Sequence, residues 1–118
     1  MNLVALVGTD KENWGQITAL INRMECEHIF LVINKDVVNF PTNEKCSTIE
    51  LDSSVSVNLL KQNLLELLRP ALNKDFEIAL SLASGTGKEH MAIVSALLNI
   101  PVGIRLVVYT KEGVQFLT

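Results

Sequence analysis

Ile78-Ala79-Leu80-Ser81-Leu82-Ala83-Ser84-Gly85-Thr86-Gly87-Lys88-Glu89-His90-Met91, running on into Ala92-Ile93-Val94-Ser95-Ala96-Leu97-Leu98, is the stretch on which the fold turns. It reads as a buried strand, a turn of small residues and the start of a helix. Gly85 and Gly87 let the backbone come close to a ligand. Ser84 and Thr86 supply hydroxyls, Lys88 supplies a positive charge, and the helix that follows points free N–H groups at the turn. Such a place suits an anion, phosphate above all. The plain alternative is an ordinary strand-to-helix turn with Ser or Thr as N-cap.

Two well-known phosphate motifs fail here. A P-loop needs G-x-x-x-x-G-K-[ST]. Counted back from Gly87-Lys88, its first glycine falls on Leu82 and its hydroxyl residue on Glu89, which argues against an ATPase or GTPase. A dinucleotide fingerprint needs G-x-G-x-x-G after the first strand. The segment there is Gly8-Thr9-Asp10-Lys11-Glu12-Asn13-Trp14-Gly15, without that spacing.

Working outward, apolar runs alternate with amphipathic segments. Leu3 to Val7 and Ile29 to Ile33 are continuous apolar runs, as expected of strands buried on both faces. Trp14, Ile17, Leu20, Ile21 and Met24 recur at helical spacing over residues 13–25. Asn34 to Lys45 is a polar loop, and residues 47–51 form a short third strand. Asp52, Ser53 and Ser54 are N-cap candidates for a helix over 54–72 whose face is Val57, Leu60, Leu64, Leu67, Leu68 and Ala71, with Pro70 in its last turn or at a kink. Residues 76–82 form the fourth strand, 89–99 a third helix and 104–109 a fifth strand. Lys111-Glu112-Gly113 is a turn, and residues 114–117 return antiparallel.

This alternation implies an α/β fold: a Rossmann-like three-layer sandwich with a mostly parallel central sheet and a C-terminal antiparallel strand. In such sheets ligands bind beyond the carboxyl ends of the strands, where strand order reverses. The turn at Gly8-Thr9-Asp10 should therefore stand beside the turn at Ser84 to Lys88.

The chain's 118 residues fit one domain, 1–118, and 48% apolar content with few aromatics suits an aliphatic core. No apolar run reaches the roughly eighteen residues of a membrane helix, and no membrane partner is expected. The first strand begins at the N-terminus without a basic leader, so no secretory signal is expected. Cys26 and Cys46 lack zinc-ligand spacing and read as reduced packing thiols of a cytoplasmic protein. A net charge of −3 without a Lys/Arg cluster argues against a duplex nucleic-acid face. One loop can still be locally positive. No cofactor and no metal are called for.

With Ser84-Gly85-Thr86-Gly87-Lys88-Glu89-His90-Met91-Ala92 and Gly8-Thr9-Asp10 in view, the chain resembles the CRISPR-associated Rossmann-fold (CARF) domains. Their ligand loop follows the fourth strand, often as T-G-G-T-K before an apolar helix, and they end in a hairpin-like strand pair, here residues 103–117. The chain differs in placing Thr86 between its glycines and Glu89-His90 before Met91. The resemblance implies a homodimer whose paired loops hold a cyclic oligoadenylate. It further implies a sensor of type III CRISPR antiviral signalling that regulates an effector absent from these residues. Other members of the family cleave the ring without metal, as ring nucleases, and those roles would fall on Thr9, Ser84, Thr86 and Lys88. A winged-helix transcriptional regulator's sensor domain is a further alternative, as is a generic α/β regulatory domain for another small anion.

The ligand-binding set is thus Gly8, Thr9, Asp10, Ser84, Gly85, Thr86, Gly87, Lys88 and His90, with catalytic residues left open. Each has a simpler reading. Lys88 is a phosphate ligand, solvent-facing when no ligand is bound, or else a solvated first-turn lysine. Asp10 binds a ribose hydroxyl or caps the first helix. His90 contacts ligand or lines the loop. Trp14 is in helical phase with Ile17 and Ile21 and packs in the core rather than on a base.

Overall fold

The computed structural model describes residues 1–118. In chain order it contains β1 (Asn2–Val7), a 3₁₀ turn (Lys11–Asn13), α1 (Trp14–Arg23), β2 (Ile29–Asn34) and β3 (Cys46–Leu51). Then come α2 (Val57–Leu72), β4 (Glu77–Ser81), α3 (Gly87–Leu98), β5 (Gly103–Thr110) and β6 (Gly113–Phe116). The strands form one sheet in the order β3-β2-β1-β4-β5-β6, parallel except for the antiparallel β5–β6 pair.

The unbroken apolar run of β1 follows from its central place. Leu3, Ala5 and Val7 point to one face and pack with Ile17, Leu20 and Ile21 of α1. Val4 and Leu6 point to the other and pack with Leu60, Leu64 and Leu68 of α2 and Ala92, Ile93 and Ala96 of α3. Both faces are covered, so a strand with period-2 side chains has no polar side. Each fully buried Leu or Ile contributes about 1.5–3 kcal/mol, and Leu3, Leu6, Ile17, Leu20, Leu64 and Ile78 are all under 2% exposed.

Several boundaries differ from the sequence reading. α2 begins at Val57, capped by Ser56, whose hydroxyl accepts from Leu59 N–H at 3.3 Å. Asp52, Ser53 and Ser54 are not the cap. Asp52 Oδ1 accepts from Ser54 N–H (3.0 Å) and Ser54 Oγ (2.6 Å), closing a local turn before the helix. α3 starts at Gly87 rather than Glu89, because Thr86 and Glu89 form a capping box. Phe76 stays outside β4 and is 92% exposed. Lys111 and Glu112 turn the chain between β5 and β6, and Gly113, at φ +100°, is already the first residue of β6 rather than part of the turn.

Strand order reverses between β1 and β4, so the loops following them, from Gly8 and from Leu82, meet at the carboxyl edge of the sheet. The link from β2 to β3 carries no helix. Val37 and Phe40 from that link pack onto the α1-side core instead.

Candidate functional site

The two loops are pinned to each other by a short polar chain. Ser84 Oγ accepts from Gly8 N–H at 2.8 Å and donates to Asp10 Oδ1 at 2.5 Å. Gly85 N–H donates to the same Asp10 oxygen at 3.0 Å. Asp10 Oδ2 accepts from Asn13 Nδ2 at 2.7 Å. Ser84 is 1% exposed. In this arrangement Asp10 does not cap α1: its Oδ1 joins the two loops, and its Oδ2 accepts from Asn13 within its own turn.

The glycines serve the same closure. A Cβ on Gly8 would lie 2.7 Å from both Gly85 Cα and Asp10 Oδ1. Gly85 sits at φ +104°, and a Cβ there would lie 2.5 Å from Leu6 Cδ2. Gly87 is different: nothing stands within 4 Å of where its Cβ would be.

Glu89 holds the start of α3 from beneath. It is 1% exposed. Its Oε1 accepts from Thr86 N–H at 2.9 Å, and its Oε2 accepts from Asn34 Nδ2 at 2.9 Å and from Ser53 Oγ. Thr86 Oγ1 in turn accepts from Glu89 N–H at 3.2 Å. One carboxylate thus ties α3 to the end of β2 and to the β3–α2 loop. In the sequence Glu89 serves to reject a P-loop and marks a departure from the family loop, although Thr86-Gly87-Lys88-Glu89 also carries the capping-box signature.

Lys88 is half-buried rather than solvent-facing, and its Nζ donates to Ser53 O at 2.7 Å. His90 Nε2 lies 2.8 Å from Ser84 O. A carbonyl only accepts, so Nε2 carries the ring proton. Thr9, Thr86 and Gly87 are exposed. With Thr86 N–H and Glu89 N–H satisfied by the capping box, Gly87 N–H and Lys88 N–H are the first-turn donors left without a protein acceptor. They open at the positive end of α3.

The chain matches no known protein-family model and no curated protein.

Beside the crevice, Trp14 donates its indole N–H to Gly8 O at 2.8 Å and meets Phe40 edge-on at 5.3 Å. Its ring is engaged in packing. On the other flank, α3 presents Met91 (62% exposed) and Leu98 (72%) with Val94 and Ser95 between them, a shallow apolar groove that begins at His90. His28 Nε2 pairs with Ser47 Oγ at 2.8 Å, at the amino end of β2 and β3 and away from both loops. Arg105 stacks on Phe116 at 4.1 Å and donates to Thr118 O, far from the crevice. Cys26 is buried, which pushes its thiol up from its ordinary value, and Cys46 is also a free thiol.

Both carboxylates of the closure titrate low. For Asp10, burial pushes the pKa up, but hydrogen bonds from Ser84, Asn13 and Gly85 outweigh it and hold the group below 3.8. For Glu89, burial is likewise outweighed by Ser53, Asn34 and Thr86, and the group lies below 4.5. A depressed folded-state pKa gives stability that is complete above the unfolded value and lost as pH falls through the folded one. The melting temperature should therefore hold from neutrality to about pH 5 and drop below it. Replacing both groups, as Asp10→Asn with Glu89→Gln, should flatten that acid limb in circular-dichroism melts. An unchanged limb would mean that other carboxylates carry it.

Proposed function

We propose that this chain is a cytoplasmic, CARF-type ligand-sensing domain that binds a cyclic oligoadenylate as a homodimer and passes the signal to an effector of type III CRISPR antiviral defence. The observation that carries this reading is the pair of unfilled N–H groups at Gly87 and Lys88, open at the crevice where the β1 and β4 loops meet. They offer a phosphate two donors and a helix N-terminus. The exposed apolar stripe from Met91 to Leu98 on α3, beside the crevice, offers a surface for a second copy of the chain. Binding is favoured over ring cleavage. Of the groups assigned to cleavage, the Ser84 hydroxyl is taken up by Gly8 N–H and Asp10, and Lys88 is held by Ser53, which leaves only the exposed hydroxyls of Thr9 and Thr86 with a proton to give.

Calorimetric titration of cyclic tetra- and hexa-adenylate, with chromatography of the recovered ligand with and without EDTA, tests this. The expected result is saturable binding with the ring intact, by a species that light scattering reports as a dimer. Leu98→Glu places a charge in the stripe and should give a monomer that binds at least roughly tenfold more weakly. No heat with either ring would overturn the ligand, and heat with inorganic phosphate alone would reduce the site to a generic anion cradle. A wild type that stays monomeric with ligand present would overturn the shared pocket.

A further inference from the structure

A second concavity lies apart from the crevice, between the β2–β3 link and the outer part of the sheet. It is open to solvent, with Asn39, Thr42, Thr48 and Glu50 exposed at its walls, and its volume of about 240 Å³ is below the roughly 300 Å³ at which drug-sized sites begin. Ile33 and Val37 give it apolar lining and Phe40 an aromatic wall. Thr48 and Glu50 enter from β3 at positions i and i+2, which places them on one face of the strand. Asn39, at φ +63°, and Thr42 come from the link.

The polar lining is unspent. No hydrogen bond or ion pair within the chain uses the side chain of Asn39, Thr42, Thr48 or Glu50, whereas nearby Asn34 is fully engaged and Lys35 is paired with Asp52 at 3.3 Å. The aromatic wall is fixed in advance, because Phe40 abuts Trp14 at an interplanar angle of 82° and Trp14 is bonded to Gly8 O. Preorganised walls cut the entropy lost on binding. The left-handed backbone at Asn39 is a conformation that asparagine tolerates and that sets the link's path over the sheet.

The charge decides the class of ligand. Glu50 is a carboxylate that only accepts hydrogen bonds, and Lys35, the cation at the rim, is already paired with Asp52. An anion is therefore disfavoured here, unlike at the start of α3. We propose that this cavity is a binding site for a small, neutral or cationic, planar heteroaromatic amine of nucleobase or nucleoside size. Phe40 packs on its ring, Glu50 accepts from its exocyclic amino group, and the threonine hydroxyls and the Asn39 amide meet its ring nitrogens. The proposal does not depend on the function assigned to the crevice.

Adenosine and purine riboside differ only in the exocyclic amine and are the probes of choice. In a methyl NMR titration of the full chain, adenosine should produce saturable shifts at Ile33, Val37 and Thr48, with contacts from those methyls to its ring protons. Purine riboside should bind at least tenfold more weakly. Glu50→Gln lies on the exposed side of an edge strand and keeps the side chain's size, so the fold should persist while adenosine binding falls roughly ten- to hundredfold, as for loss of a hydrogen bond to a charged group. Phe40→Leu gives a second, charge-independent loss. Adenosine monophosphate should bind no more tightly than adenosine. The proposal is overturned by absence of saturable shifts, by equal binding of purine riboside, by a tighter monophosphate, or by shifts confined to Thr9 and Thr86 at the crevice.

Discussion

Glu89→Ala should cost about 3–5 kcal/mol of folding stability and lower the melting temperature by about 10–20 °C. The side chain is 1% exposed and accepts from Thr86 N–H, Asn34 Nδ2 and Ser53 Oγ. Truncation leaves a backbone N–H and a side-chain amide facing a void, each costing about 1–3 kcal/mol when buried without a partner. It also removes half of the capping box, worth about 1 kcal/mol. A domain of this size has about 5–15 kcal/mol to lose, so the variant is folded at low temperature and marginal at 37 °C. Glu89→Gln should be milder, because one oxygen still accepts from Thr86 and the Ser53 hydroxyl can turn to accept. Urea unfolding of the three proteins checks this. A Glu89→Ala midpoint equal to wild type would mean that the carboxylate hangs in solvent rather than under α3.

Gly85→Val should be the most damaging single change at the crevice, with loss of the folded state or of several kcal/mol. Its φ of +104° is disfavoured for any side chain and worst for a β-branched one, and the new Cβ would stand 2.5 Å from Leu6 Cδ2, in the middle of the core. Gly8→Ala should fail for a separate reason, since its Cβ would meet the Gly85 backbone at 2.7 Å and drive the loops apart. Gly87→Ala is the internal control. It has open space and an ordinary helical position, so it should be neutral or stabilising by up to about 1 kcal/mol. Thermal melts of the three separate a glycine required by chain closure from one that is not. Equal losses at all three would refute the distinction.

The fold was legible because its signals are long and redundant. An apolar run such as Leu3 to Val7 can be buried on both faces only in the middle of a covered sheet, and the alternation of runs with amphipathic segments permits few other architectures. The pairing of the β1 and β4 loops followed from the same topology. What escaped was the use made of the polar residues. The intrachain partners of Asp10, Ser84 and Lys88 could not be read, because a one-dimensional chain does not display partners that lie seventy or more residues away, as Ser84 does from Asp10, or in a separate loop, as Ser53 does from Lys88. The N-cap of α2 was misplaced by a few residues because Asp52, Ser53, Ser54 and Ser56 are all competent caps, and only the Asp52–Ser54 turn and the Ser53–Glu89 bond remove the first three from contention. The capping box at Thr86 and Glu89 is written in the sequence as T-x-x-E, but Ser84 and Thr86 are both competent N-caps and only the Glu89 side chain's reach back to Thr86 N–H separates them.

Trp14 is the chain's single tryptophan, and it stands between the two concavities, bonded to the Gly8 carbonyl on one side and touching Phe40 on the other. All indole fluorescence of the protein therefore originates from one ring whose N–H reports on the crevice loop and whose edge contact reports on the cavity wall. The molecule carries its own optical gauge, placed where a disturbance from either direction reaches the same chromophore.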